Sequence, residues 1–251
     1  MPRRSSLPNV PRIRPPDSHV VIAIDGPAAS GKSSTAHSVA EKIGYLHVDS
    51  GSLYRAATAA ALRENPNADH WTEEFVCKAA GSVKLAPGSS SFDTLIEDRR
   101  AEEEIRGPAV TNHVSRVARM RRVREWVNDQ VRHTADRHDI VVDGRDIGTV
   151  VFPGADLKVF LVADPWERAR RRLTQRLDRA PNDVEIAEET DRLVHRDAQD
   201  ATQTMQAKDA ILMDTTYLTQ AEQVERIVAL ARAVTRRADG TSPVDPRPRP
   251  D

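Results

Sequence analysis

The chain has 251 residues, enough to bury one good core with a smaller appended unit. Lys and Arg number 37 against 38 Asp and Glu, a formal net charge of -1, which excludes any global electrostatic pull toward nucleic acid or an anionic membrane. No apolar run approaches the roughly 18 residues of a membrane span, and the single cysteine, Cys77, excludes a disulfide framework and points to a reducing, cytoplasmic setting.

Residues 1–18 are rich in Pro, Arg and Ser and are expected to be a disordered extension; they contain arginines but no apolar stretch of the kind a secretory signal needs. The first expected strand is the apolar run 20–24 (VVIAI). The loop after it, Gly26-Pro27-Ala28-Ala29-Ser30-Gly31-Lys32-Ser33, fits G-x-x-x-x-G-K-[ST], whose backbone N–H groups converge on nucleotide phosphates. Its glycines permit a tight turn close to the ligand. Lys32 suits the β- and γ-phosphates, and the Ser33 hydroxyl suits a magnesium ion. Ala36, Val39, Ala40 and Ile43 then repeat at helical spacing until Gly44, so a helix over 32–43 adds its positive dipole end to the phosphate site. An ordinary Gly-rich turn explains neither the lysine nor the hydroxyl.

Further strands are expected at 45–48, 140–142, 157–162 and 210–213, and helices at 53–63, 72–80, 110–133, 165–177, 184–198 and 221–236. This alternation predicts an α/β fold, a parallel sheet of five strands with helices on both faces. Ligands of such sheets sit beyond the carboxyl ends of the strands, where Lys32, Asp49, Asp143 and Asp164 fall. The stretch 81–106 breaks the rhythm, and its runs 82–85 and 92–96 predict a small antiparallel hairpin inserted outside the main sheet. Residues 237–251 repeat the Pro- and Arg-rich character of the N-terminus and are expected to form a disordered tail.

Three groups of charge stand out. Asp49-Ser50-Gly51-Ser52-Leu53-Tyr54-Arg55 opens a helix with Ser50 as the expected cap and Arg55 one turn in. Asp143-Gly144-Arg145-Asp146 follows a buried strand, where an acid suits the orientation of magnesium or its waters and Arg145 can clamp a phosphate. Arg168, Arg170, Arg171 and Arg172 lie on one helix, with Arg168 and Arg170 expected on a solvated face; a flap is expected over 174–203. No histidine stands out, although His47 and His195 fall near these motifs.

With those motifs in place, IDGPAASGKSS, DSGSLYR, EIRGPAVTNHVSRVA, DGRDIGTVVFP and, more weakly, HRDAQDATQ, the chain resembles the bacterial cytidylate kinases of the nucleoside monophosphate kinase group. The resemblance runs from about residue 20 to 231, and 143–153 is its most diagnostic part. It implies a P-loop kinase domain over 19–236, a nucleoside-monophosphate region with its insert at about 50–133, and a short lid at about 174–203. It implies phosphoryl transfer from ATP to CMP or dCMP with Mg2+, in a cytoplasmic monomer that uses neither nucleic acid nor membrane. Residue by residue, Gly26, Pro27, Ala28, Ala29, Ser30, Gly31, Lys32, Ser33 and Ser34 would hold ATP. Arg55, Arg145 and Ser50 would grip the acceptor phosphate, Ser115, Arg124 and Asp146 would read cytosine, and Arg196 with Asp200 would meet the sugar. Lys32, Arg55, Arg145 and Arg171 (or Arg172) would carry catalysis, with Ser33 and Asp143 at the metal. The family's pattern has an arginine where Gln203 stands.

Three other classes compete, of which a regulatory GTPase finds no N-K-x-D guanine signature in the chain. An adenylate or UMP/CMP-type kinase shares the P-loop, but 143–148 reads DGRDIG instead of the D-G-F-P-R of adenylate kinases. An RNA-binding module could use the five arginines within 116–124, yet no stacking aromatics interleave them.

Overall fold

The computed structural model describes residues 19–177 and 179–238. The tails expected at 1–18 and beyond 238 lie outside those residues, and positions 237 and 238, expected in the tail, instead end the last helix.

β1 (Val21–Asp25) is the central strand of a five-stranded parallel sheet and is buried along its whole length. Such a strand must be apolar on both faces, and its residues divide accordingly. Ile22 and Ile24 join the core under one helical layer while Val21 and Ala23 join the core under the other. Full burial of Ile22 and Ile24 contributes about 1.5–3 kcal/mol each. α1 (Lys32–Ile43) starts after Gly31 and stops at Gly44, both in the left-handed region at φ 86 and φ 76. β2 (Leu46–Asp49) then leads into α2 (Ser50–Glu64). Asp49 caps that helix by accepting the Ser52 N–H, so the expected cap at Ser50 is one residue late.

α3 (Glu73–Ala80) is followed by the insert, β3 (Val83–Pro87), β4 (Phe92–Ile96) and the short β5 (Arg99–Arg100). The insert forms its own antiparallel sheet, as the sequence predicts, with one strand more than expected. Its turn docks on the main sheet edge, where the His47 N–H donates to Ser90 O at 3.0 Å. Beyond it come α4 (Glu102–Arg106), α5 (Pro108–Val117) and α6 (Arg121–Thr134). The single helix expected over 110–133 is broken between 118 and 120. The break has no Gly or Pro to announce it. It is a tertiary effect: buried Val117 and Met120 and the Arg116 bonds to Ala68 O (2.7 Å) and Trp71 O (3.3 Å) fix the two pieces separately.

β6 (Ile140–Gly144) pairs with both β1 and β2, and a π-turn at Ile147–Val151 follows. β7 (Leu157–Val162), α7 (Pro165–Arg176), α8 (Asp183–Asp200), β8 (Ile211–Asp214) and α9 (Gln220–Ala238) complete the chain, giving strand order β2-β6-β1-β7-β8. α1 and α9 cover one face of the sheet; α2, α3, α5 and α6 supply most of the other core. The carboxyl ends of β1, β2, β6 and β7 therefore open to one edge, and α7 and α8 pack together beside the phosphate loop, sharing Leu173, Ile186 and Leu193 with Ala28. Asp164, singled out as a strand-end acid, is a helix cap: its carboxylate accepts the Trp166 and Glu167 N–H groups at the start of α7.

Candidate active site

Two cavities meet over the sheet edge. One, of about 230 Å3, is lined by Ser50, Arg55, Ser115, Arg124, Arg145, Asp146, Arg196 and Asp200, all eight residues expected to hold the acceptor. The other, of about 870 Å3, runs from Gly31, Lys32, Ser33 and Ser34 to Thr216, Tyr217, Leu218 and Gln223. Lys32, Ser33, Arg55 and Arg172 line both. The cationic groups from three strand ends thus converge.

The loop owes its shape to its glycines. Gly26 sits at φ 154, and a side-chain carbon there would lie 2.3 Å from Leu161 O, so no other residue fits. Gly26, Pro27 and Ser30, for which ATP-holding roles were expected, line neither cavity. Pro27 O accepts the Lys32 ammonium at 2.7 Å, and Ser30 is fully buried with its Oγ unpartnered among the described residues. Ala28 and Ala29 line the smaller cavity, and Ala29 the larger one also.

Burial, followed by the nearby Arg145 charge, pulls Lys32 down to about 8, and burial with the Arg196 charge pulls Arg55 down to about 10. Burial likewise lowers Arg172 and Arg196. Burial is the largest cause in all four, and like-charge repulsion from Arg145 on Lys32 and from Arg196 on Arg55 adds to it, which an anionic ligand would relieve.

The acids are held tightly. Asp143 accepts from Ser33 Oγ at 2.6 Å and pairs with His47 Nε2 at 2.8 Å. Burial would raise the Asp143 carboxyl, but the His47 bond and the charges of His47 and Lys32 hold it below its ordinary value. Burial would lower His47, but Asp143 outweighs it and raises the imidazole. Ser33 and Asp143 present hard oxygen donors beside the phosphate loop and fit magnesium in chemistry. No group of three or more His, Cys, Asp or Glu among the described residues could hold a metal, so the remaining ligands would come from phosphate and water.

At the far end of the smaller cavity, Arg124 binds Asp146 through NH2 and donates to Gln203 Oε1 at 3.0 Å through NH1. Burial raises the Asp146 carboxyl, against the opposing charge of Arg124. Arg145 NH2 donates to Asp200 Oδ2 at 2.8 Å, Arg196 Nε lies 3.7 Å from the same oxygen, and Ser50 Oγ donates to Asp143 O at 2.7 Å.

One expectation about arginines changes, and the two alternatives Arg171 and Arg172 are placed differently. Arg171 lines only the larger cavity, with NH2 donating to Thr215 O at 2.6 Å and Thr216 O at 2.8 Å; its alternative, Arg172, stands where the cavities join. Arg168 is 4% exposed, not solvated: NH1 donates to Ala28 O at 2.8 Å and Asp197 Oδ2 at 2.6 Å. Arg170 does pair with Glu167 on the exposed face. The basic stretch 116–124 is dispersed by folding, because Arg116 binds backbone carbonyls, Arg121 pairs with Glu125 and Arg124 enters the pocket.

Sequence reasoning noted His47 near the motifs without giving it a role, and it did not single out Asp25. Asp25, 4% exposed, accepts the Ile147 and Gly148 N–H groups at 2.8 Å each and so ties the phosphate loop to the turn after Arg145 and Asp146. Burial pushes its carboxyl up to about 6 despite those two donors. An acid ending an otherwise apolar run was the available signal.

A sequence model of the family "Cytidylate kinase" matches residues 22–233. The chain is 39% identical over 216 residues to a cytidylate kinase of Exiguobacterium sibiricum, covering 84% of this chain and 96% of that one. It is 39% identical to a cytidylate kinase of Limosilactobacillus reuteri, covering 82% and 92%, and 38% identical to one of Lactiplantibacillus plantarum, covering 88% and 96%. Among solved structures, a gluconokinase of Sinorhizobium meliloti 1021 overlaps 89% of this chain and 98% of its own at a TM-score of 0.45 and 16% identity.

Proposed function

The chain belongs to the cytidylate kinase family, and on that footing we propose that it transfers the γ-phosphoryl of ATP to CMP and dCMP, yielding CDP or dCDP and ADP. One observation carries the reading. Two cavities adjoin, and Lys32, Arg55 and Arg172 line both, at the place where a phosphoryl would cross.

The acceptor is a phosphate monoester with a second pKa near 6, already largely ionised at neutral pH, so the reaction needs no general base. The obstacle is repulsion between two polyanions. The loop amides, Lys32, Arg55, Arg145 and Arg172 answer it by placing fixed positive charge around the in-line transition state. Arg171, tied to two carbonyls, serves the donor nucleotide. Ser33 and Asp143 would hold and orient a magnesium ion, which would add to the neutralisation of the phosphates.

Cytosine offers an amino donor where uracil has a carbonyl. Asp146 accepts from that amino group, Arg124 and Ser115 meet the remaining acceptors, and Arg196 and Asp200 meet the sugar. The acceptor region spans about 50–133 and the lid about 174–203; closure of the lid over both substrates excludes water and limits ATP hydrolysis. The protein acts as a cytoplasmic monomer; no helix among the described residues is long and apolar enough to cross a membrane. The test is ADP release measured with CMP, dCMP, UMP and AMP. Turnover of CMP and dCMP well above UMP and AMP is expected, and equal rates with UMP would reject the base-pocket assignment.

A further inference from the structure

The inner face of α8 carries a stripe that packing alone does not call for. Ile186 and Leu193 fill the core against α7, but Glu189 lies between them on the same face with 3% exposure. A carboxylate buried that far must be compensated. Arg172 Nε sits 3.0 Å from Glu189 Oε1, Arg192 NH1 donates to Oε2 at 3.1 Å, and Arg176 NH2 lies 3.9 Å away. Arg176 and Arg192 are more than half exposed and line neither cavity. Of the three, Arg172 alone reaches both.

The geometry of that one ion pair matters. A guanidinium has five N–H groups in a planar fork. An ion pair with Glu189 on the Nε side of Arg172 leaves the two terminal amino groups for phosphate oxygens and limits where the guanidinium can go. One turn earlier on α7, Arg168 is bound to Asp197 of α8, whose other oxygen accepts the Ala28 N–H of the phosphate loop at 3.1 Å. α8 is therefore anchored to the loop at one end and to Arg172 at the other. Arg168 and Arg172 of α7 are thus both paired with acids of α8, one of which also accepts from the phosphate loop.

We propose that Glu189 is a positioning residue for phosphoryl transfer, holding Arg172 in a buried ion pair so that the guanidinium stands at the junction of the two nucleotide sites. The assignment rests on the kinase reading above. A flexible Arg172 would still bind phosphate in the ground state but would sample many orientations, so its loss of alignment falls on kcat more than on KM.

The test is a double-mutant cycle on the full chain with Glu189→Gln, Arg172→Ala and the pair, measured as kcat, KM for ATP and KM for CMP, with melting temperatures alongside. Glu189→Gln is expected to lower kcat about 10- to 100-fold with both KM values within about 3-fold, and to cost less than about 2-fold more once Arg172 is Ala. An unchanged kcat, or the same loss with and without Arg172, overturns the proposal, because a residue that only stabilises α8 acts independently of Arg172. If Glu189→Gln does not fold, Glu189→Asp, which keeps the charge but withdraws it by one methylene, enters the same cycle with the same criteria. Absence of CMP turnover in the unmutated protein would instead sink the kinase reading itself.

Discussion

Asp146→Asn tests the base-reading pocket most directly. Asp146 is 7% exposed, and its carboxylate is held by Arg124, which Gln203 braces in turn at 3.0 Å. An ionised carboxylate can only accept hydrogen bonds. The cytosine amino group satisfies it, whereas the uracil carbonyl would face it acceptor to acceptor in a site with little water. Such a buried mismatch costs about 1–3 kcal/mol. At about 1.4 kcal/mol per factor of ten, that is roughly 5- to 150-fold discrimination in kcat/KM. Asparagine has nearly the same shape but an amide that can turn to donate or accept, so the CMP-to-UMP ratio should fall to within about 3-fold of unity. CMP itself should lose about 5- to 30-fold, since a charge-assisted bond becomes a neutral one. ADP release at saturating ATP, with CMP, dCMP and UMP as acceptors, measures both effects. A ratio unaltered by the substitution, even with lower overall rates, refutes the assignment of Asp146 to the base.

Arg145→Ala should lower kcat/KM for CMP at least about 100-fold and also reduce the melting temperature, because Asp200, 6% exposed, loses its bond at 2.8 Å; full activity in the ADP-release assay would remove Arg145 from the phosphate clamp. Gln203→Leu takes away the acceptor that braces Arg124 and should raise KM for CMP about 3- to 10-fold without altering KM for ATP; calorimetric titration with each nucleotide alone separates the two, and an unchanged affinity for CMP counts against the brace. His47 contributes through its pair with Asp143, which raises the imidazole above its ordinary 6.5. A raised pKa means that the stabilisation is fully present below about 6.5 and fades as pH climbs through the raised value. The stability difference between the unmutated protein and His47→Gln should therefore shrink on going from pH 6 to pH 9; a constant difference would show that His47 is neutral throughout.

The phosphate loop, its helix and the two strand-end motifs were legible in the sequence because each is local. An apolar run, two glycines, a lysine and a hydroxyl within fourteen residues leave little choice of backbone, and the site edge of a parallel sheet follows from strand–helix alternation. Asp49 and Asp143 could be placed at strand ends for the same reason, and Arg55 and Arg145 do share a cavity with Lys32. Resemblance to the family supplied the rest of the acceptor residues, and all of them line that cavity.

What escaped was whatever depends on which surface meets which. Arg168 and Arg170 stand two positions apart in one basic run, and nothing in that run says that the first is buried against Ala28 and Asp197 while the second pairs with Glu167 in solvent. Helix periodicity assigns both to a helix; only the docking of α8 decides between them. The same holds for Arg172 lining both cavities where Arg171 lines one, for the break between α5 and α6, and for His47 beside Asp143, partners 96 positions apart. Chain-local chemistry determined the fold class, the phosphate loop and the kind of ligand. Tertiary structure alone decided which charges are desolvated and which carboxylate holds each arginine, because burial and pairing are set by contacts between segments far apart in the chain.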